Sequence, residues 1–242
     1  MKVISQTKDR DLAVVYIAET DDGKLVEFVE STQPPHPRNK KWVLTVSTLF
    51  GCPVSCRFCD AGMKYEGPLS SDQLIFQIDY PIRKRFPDGR VPVEKFKIQF
   101  ARMGEPSLNP NLLDLLERLP EIYNAPGLII SLSTIAPIRR NEFFGRLHEI
   151  KEKYYRGRFQ FQFSIHTTDL ESRNWLIPVR TWDFAQMARY GEMFRGEGDR
   201  KITLNFALAD ELPIDPDILL EHFSPENFLI KLTPVNPTAR AA

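Results

Sequence analysis

Alternation constrains this chain more than any other feature. Six short β-rich runs, 42–48, 95–101, 128–133, 159–165, 201–208 and 228–233, are separated by longer stretches of helical composition at 71–86, 111–123, 138–155, 183–194 and 216–223. Strand followed by helix, repeated, predicts a parallel sheet wrapped by helices, an α/β fold. Runs such as Leu128-Ile129-Ile130, apolar at successive positions, suit a sheet covered on both sides. Pro81 is expected to kink or divide the first helix, because it lacks an N–H and crowds the preceding turn; Ser71 and Asp72 are candidate caps at its start.

Ahead of this pattern, the strand-like runs 12–19 and 25–30 flank a turn at Asp21-Asp22-Gly23 and predict a β-hairpin, followed by a Pro-rich, basic surface loop at 31–41. The expected organisation is a small N-terminal hairpin and linker over 1–41 and a six-unit barrel over 42–242. With 242 residues, one such barrel takes up nearly the whole chain. In barrels of this kind the reacting groups gather at the carboxyl ends of the strands.

Thirty-two basic and 32 acidic residues cancel, so the chain as a whole offers no net attraction for a polyanion. No run has the length and apolarity of a membrane span, and the start Met1-Lys2-Val3-Ile4-Ser5 has no signal-peptide character. The expectation is a cytoplasmic protein with no membrane association.

The 3 cysteines all fall within one short run, Gly51-Cys52-Pro53-Val54-Ser55-Cys56-Arg57-Phe58-Cys59, directly after the first barrel strand. This C-x-x-x-C-x-x-C spacing can aim three thiolates at one centre, and clustered thiols in a reducing compartment point to a metal rather than a disulfide. Soft thiolates favour zinc or an iron–sulfur cluster, and structural zinc normally takes a fourth protein ligand. No fourth cysteine exists, and His36, His148, His166 and His222 are all distant in sequence. Zinc completed by a distant histidine, or three incidental thiols, are the alternatives. A [4Fe-4S] cluster held by Cys52, Cys56 and Cys59 has one open iron, which can bind the amino and carboxylate groups of S-adenosylmethionine; one electron then cleaves the sulfonium to a 5′-deoxyadenosyl radical.

At this point the sequence resembles the radical S-adenosylmethionine (radical SAM) superfamily, and within it the rRNA adenine methyltransferases of the RlmN/Cfr type. Phe58 precedes the last cysteine of the loop. Arg102-Met103-Gly104-Glu105-Pro106 resembles the family's Gly-Glu-Pro segment, Ser131-Leu132-Ser133-Thr134 its Ser-Thr segment, and Ser164-Ile165-His166 its Ser-Leu-His segment. Arg173-Asn174-Trp175-Leu176-Ile177-Pro178-Val179 resembles a family linker, and Lys231 to Pro237 the final strand. The resemblance implies a partial (β/α)6 TIM-like barrel. It also implies that Phe58, Gly104, Glu105, Ser133, Ser164, Ile165, His166 and Asn236 bind the cosubstrate, and that a flavodoxin- or ferredoxin-type protein donates the electron.

The sequence also departs from that family. Its methyltransferases carry the transferred methyl on a cysteine near the C-terminus, whereas this sequence reaches Ala242 with no cysteine outside the loop, and no large RNA-binding segment precedes Leu12. Arg102 stands where the family has a small residue. Glu27 or Glu30 lies near the family's proton-accepting acid and is a candidate for that role, against a plain solvated glutamate. Tyr65, Arg102, Arg139, Arg140, Trp175 and Arg180 are candidates to line a substrate pocket. The leading expectation is an enzyme that abstracts hydrogen from a small or unassigned substrate. An RNA methyltransferase and a non-enzymatic cluster scaffold or electron-transfer protein are the alternatives.

Overall fold

The computed structural model describes residues 1–9, 12–208, 212–235 and 238–239. Nine strands form a single sheet in sequence order. Three antiparallel strands come first, β1 (Lys2–Asp9), β2 (Ala13–Glu19) and β3 (Leu25–Thr32). Six parallel strands follow, β4 (Lys41–Val46), β5 (Lys95–Phe100), β6 (Leu128–Thr134), β7 (Phe159–Ser164), β8 (Ile202–Leu208) and β9 (Phe228–Pro234). The predicted six-strand alternation is present in full. The helices are α1 (Ser71–Arg85), α2 (Asn111–Ile122), α3 (Asn141–Tyr154), α4 (Leu170–Leu176), α5 (Phe184–Phe194) and α6 (Pro216–His222).

Strand alternation sorts the barrel's side chains cleanly. On β4 and β5 the residues Trp42, Leu44, Val46, Phe96, Ile98 and Phe100 are all fully buried and belong to the main apolar core. The same face continues through Leu132, Phe161, Phe163 and Phe206, with Leu74, Ile78, Leu116 and Leu147 supplied by the helices. In-register pairing puts Lys97, Gln99, Ser131, Ser133, Gln162, Ser164, Thr203 and Asn205 on the opposite, inner face. Ser131, Gln162 and Thr203 are nonetheless buried, so the sheet curls and its inner residues cover one another. Gln162 Nε2 donates to Ser131 Oγ at 2.9 Å and Gln160 Nε2 to Thr203 Oγ1 at 2.7 Å, lacing that polar interior across strands.

The predicted hairpin is in fact a three-stranded meander. Its turn forms where expected, with Gly23 at φ 78 and its N–H bonded to Thr20 O at 3.0 Å. The unanticipated β1 is largely exposed, so its sequence has little alternation to reveal it. The hairpin is separated from the barrel in the chain but not in the sheet, because β3 pairs antiparallel with β4. The fully buried Glu30 clamps this seam. Its carboxylate accepts from Tyr16 Oη (2.6 Å), Trp42 Nε1 (3.0 Å), Arg38 Nη1 (3.3 Å), and Arg85 Nε and Nη2 (2.6 and 2.7 Å), tying β2, β3, β4 and α1 together.

Two local expectations need correction. Helix α1 runs through Pro81 undivided, with Pro81 buried between Ile78 and Ile82 on the face that packs into the core. Packing there outweighs the one lost backbone bond. Its cap is Ser70 rather than Ser71 or Asp72: Ser70 Oγ accepts from Gln73 N while Gln73 Oε1 accepts from Ser70 N, a reciprocal capping box. Helix α4, whose second half falls in the segment read from sequence as linker, is capped by Asp169, whose side chain accepts from Ser172 N at 2.7 Å. No helix among the described residues is long and apolar enough to cross a membrane.

Candidate active site

The cysteine loop leaves β4 and folds over the carboxyl end of the sheet. Gly51 makes the first bend at φ 74, where a Cβ would lie 1.5 Å from Lys64 O, so no other residue fits. Ser55 also takes a positive φ, 56, and its Oγ donates to Gly62 O at 3.0 Å, while Cys59 N donates to Cys56 O at 3.1 Å. Beneath the loop lies a small apolar cluster of Val54, Ile135, Leu176 and Ile177, against which Cys52, Cys56 and Phe58 pack. Arg57 fastens the loop to α4: its N–H donates to Leu176 O at 3.0 Å, its Nε to Trp175 O at 2.8 Å, and its guanidinium lies 4.7 Å from the exposed Trp175 ring.

The loop over residues 103–109 meets the cysteines from β5. Gly104 has φ 97, and a Cβ there would lie 2.5 Å from Leu49 Cβ and 2.8 Å from Leu49 N, because Thr48 N and Leu49 N both donate to Met103 O. The next residue, Glu105, is buried. One carboxylate oxygen accepts from Thr134 Oγ1 and from Ser107 N and Oγ (3.2 and 2.8 Å); the other accepts from Ile135 N at 3.0 Å. Burial raises its pKa, and these neutral donors only partly offset that.

The three thiols share one electrostatic environment. Burial raises the pKa of Cys52, while the backbone amides of Val54 and Glu105 pull it back. Burial pushes Cys56 up to about 12, helped by the charges of Cys59, Cys52 and Glu105. Thiols that resist ionisation singly become ligands when a cation compensates them. Among the described residues no three His, Cys, Asp or Glu close round a single metal ion. A polynuclear cluster, whose ligands attach to separate irons, accepts donors standing further apart and fits this donor set.

At the end of β7, His166 is buried at φ 69, its ring 4.9 Å from that of Phe58. Burial, then the nearby Arg173, lowers its pKa to about 4, so the ring is neutral. Ala207 N donates to Nδ1 at 3.2 Å, which leaves the proton on Nε2. Ser164 and Ser133 are half-buried on the inner face, and Ile165 is fully buried with its N–H on Asn205 O at 2.9 Å.

Two residues that sequence reasoning passed over complete the picture. Asn205 Oδ1, paired in register with Ser164, is buried with no hydrogen-bond partner, and so is Arg173 Nε. Arg173 otherwise donates to Thr181 Oγ1 and to Ile135 O at 3.4 Å, and Cys56 lies within its electrostatic reach. Unpaired buried polar atoms beside an inner-face site are the places a polar ligand satisfies. A polar residue at an inward position of Ile202-Thr203-Leu204-Asn205 was the available signal.

The structure thus brings Cys52, Cys56, Cys59, Phe58, Gly104, Glu105 and His166 to one end of the sheet. Asn236 lies outside the described residues. Glu30 sits in the seam, on the opposite face, with both oxygens engaged. Glu27 faces inward on β3, its carboxylate ion-paired with Arg102, and Ser47 joins the two segments by donating to Glu27 O at 2.5 Å and accepting from Met103 N at 3.0 Å. A surface recess bounded by Pro120, Tyr123, Tyr154 and Arg158 lies at the other end of the strands and has no part in this site.

No protein-family profile matches the chain. It is 28% identical over 230 residues to a "Probable dual-specificity RNA methyltransferase RlmN" of Chlorobium phaeobacteroides, covering 90% of this chain and 58% of that protein. A protein of the same name from Synechococcus sp. is 26% identical over 235 residues, covering 95% of this chain and 64% of that one. The chain therefore spans about six tenths of the length of these relatives. The crystal structure of a radical SAM methyltransferase from Sphaerobacter thermophilus superposes with a TM-score of 0.75 at 21% identity, covering 98% of this chain and 68% of that one. In sequence, over nine tenths of its length, the chain resembles proteins named as RlmN methyltransferases, and in fold, over nearly all of it, it resembles a radical SAM methyltransferase.

Proposed function

We propose that this chain is a radical SAM enzyme that abstracts hydrogen from a substrate yet to be identified. Cys52, Cys56 and Cys59 hold a [4Fe-4S] cluster, and Glu105, Ser133, Ser164, His166, Asn205 and, by resemblance, Asn236 seat S-adenosylmethionine. The observation that carries this reading is the packing of the three-thiol loop against the Gly104-Glu105 turn, with the unpaired Asn205 Oδ1 on the same inner face. A cluster held there would supply one-electron reductive cleavage of the cosubstrate sulfonium, with a flavodoxin- or ferredoxin-type protein as the electron source, and so the means of removing a hydrogen atom from the substrate. Gly104 keeps the turn close to Leu49, Glu105 presents a buried acceptor to the cosubstrate amine, and neutral His166 offers a donor at Nε2.

Anaerobic reconstitution should yield about four irons per chain and, with dithionite, release 5′-deoxyadenosine. Cys56→Ala should bind no intact cluster. Wild-type protein that stays colourless and binds zinc instead would remove this reading.

RNA methyl transfer is the second reading, favoured by the names of the relatives. The pairing of Glu27 with Arg102 weighs against it, because the carboxylate is already engaged by a guanidinium rather than turned to a substrate. Transfer of label from methyl-labelled cosubstrate into RNA would establish this second reading; unlabelled RNA beside continued 5′-deoxyadenosine release would favour the first.

A further inference from the structure

Two cations, Lys151 and Arg173, are buried among the described residues, and they are partnered differently. Lys151 meets two carboxylates, those of Asp199 and Glu152. Arg173, 3% exposed, meets none among the described residues. Its Nη1 donates to Thr181 Oγ1 and its Nη2 to Ile135 O at 3.4 Å, while the N–H at Nε is buried without an acceptor. A guanidinium taken out of water with one N–H idle and no counter-charge opposes folding unless a ligand completes it.

The packing around Arg173 indicates which ligand that is. Arg173, Leu176 and Ile177, at spacings of three and four, share the buried face of α4 and its C-cap. Leu176 and Ile177 pack with Val54 and Ile135, and Cys52 and Cys56 lie against the same cluster. Arg57, the residue after Cys56, donates its N–H to Leu176 O, so the turn of helix that carries Arg173 is fastened directly to the cysteine loop. On the other side Ile135 joins Arg173 to Glu105, its O accepting from Arg173 Nη2 and its N–H donating to the Glu105 carboxylate. Arg173 is thus bracketed by the thiol loop and a buried acid. The electrostatics agree: Cys56 favours the charge on Arg173, and Arg173 in turn disfavours a proton on His166.

We infer that Arg173 is a positioning residue for the cluster: its Nε donates to a sulfur of Cys56 or of the iron–sulfur core held there, and its guanidinium is the fixed counter-charge to the thiolates. This rests on the cluster reading above. Three thiolates and the Glu105 carboxylate carry more negative charge than an oxidised core carries positive, and reduction adds to the excess. Net charge and hydrogen bonds to sulfur set the potential of such a cluster, so a buried cation beside it makes reduction easier.

The test uses the full chain, anaerobically reconstituted, without cosubstrate. Iron content is measured first, and the midpoint potential is then read by redox titration followed by electron paramagnetic resonance. Arg173→Met should keep its iron but become about tenfold harder to reduce, a midpoint lower by about 59 mV for a one-electron couple. Arg173→Lys, which restores the charge, should recover most of that loss. Loosened packing that admits water would instead raise the potential, because water stabilises the more highly charged reduced state. Should Arg173→Met fail to fold, the wild type decides: grown on arginine isotopically labelled in its guanidinium nitrogens, the reduced protein should show a nitrogen coupling to the cluster that persists in Arg57→Lys. Absence of that coupling, a potential that is unmoved or raised in Arg173→Met, or a lysine variant no better than the methionine one would overturn the inference alone. An unmoved potential together with weakened S-adenosylmethionine binding would overturn it in favour of a contact to the cosubstrate carboxylate. A wild type that takes up no four-iron cluster would overturn the cluster reading and this inference with it.

Discussion

Glu27 and Glu30 stand three residues apart on the same strand, each paired with an arginine, yet they belong to different parts of the molecule. An odd spacing on β3 turns them to opposite faces. Glu30 points to the outer face, is fully buried, and binds Arg85 through both oxygens while also accepting from Tyr16 and Trp42. Glu27 points inward, and its pair with Arg102 keeps 30% and 39% of the two side chains exposed. One acid holds the meander onto the barrel; the other lines the approach to the candidate site. Sequence placed both near the same catalytic role, and only the pleat separates them.

The largest expected difference lies at the seam. Glu30→Gln leaves Arg85 facing a neutral amide inside a buried network and should cost about 3 kcal/mol, read as a lower urea midpoint at unchanged slope. The pH dependence has a definite sign. Burial raises the Glu30 pKa, but Arg85 and Tyr16 outweigh it and hold the group below its ordinary 4.5. Such a group contributes stability that is fully present above the ordinary value and is lost as pH falls through the depressed folded one. Wild type should therefore lose stability more steeply than Glu30→Gln on acidification below 4.5. Parallel acid profiles would show that the seam is held by packing rather than by this ion pair.

A second, smaller effect belongs to the inner end. In Gly104→Ala the new methyl meets the Leu49 side chain and backbone in a region of φ that alanine avoids, which should cost about 2 kcal/mol in strain. Displacement of Glu105 should also weaken S-adenosylmethionine binding, measured by equilibrium dialysis on cluster-loaded protein. Weakened binding at unchanged stability would mean that Leu49 yields; unchanged binding would separate the Gly104 turn from the cosubstrate.

The parts legible in sequence were those with a local signature. The six barrel strands announced themselves by apolar runs between helical stretches, and the cysteine loop by spacing. Exposed β1 and short α4 carry little periodicity, and the choice of Ser70 over Ser71 as cap depends on which residue stays outside the helix. Arg173 and Asn205 were missed for another reason: their meaning lies in a lack of partners, which appears only once the surrounding elements are packed.

The smallest effect tests the mouth pair itself. Arg102→Ala removes an ion pair that water reaches from both sides, so its stability cost should not exceed about 1 kcal/mol, and high salt should shrink it further. In a double-mutant cycle with Glu27→Gln, the coupling should account for most of that small loss. A cost as large as that of Glu30→Gln would erase the contrast between the two faces of β3 and make Arg102 a second clamp. With the small cost, the substitution frees Glu27 without unfolding the site. Arg102→Ala then becomes the background in which to test Glu27 itself, through a change in the rate of product formation on adding Glu27→Gln that the same substitution does not produce while Arg102 is present.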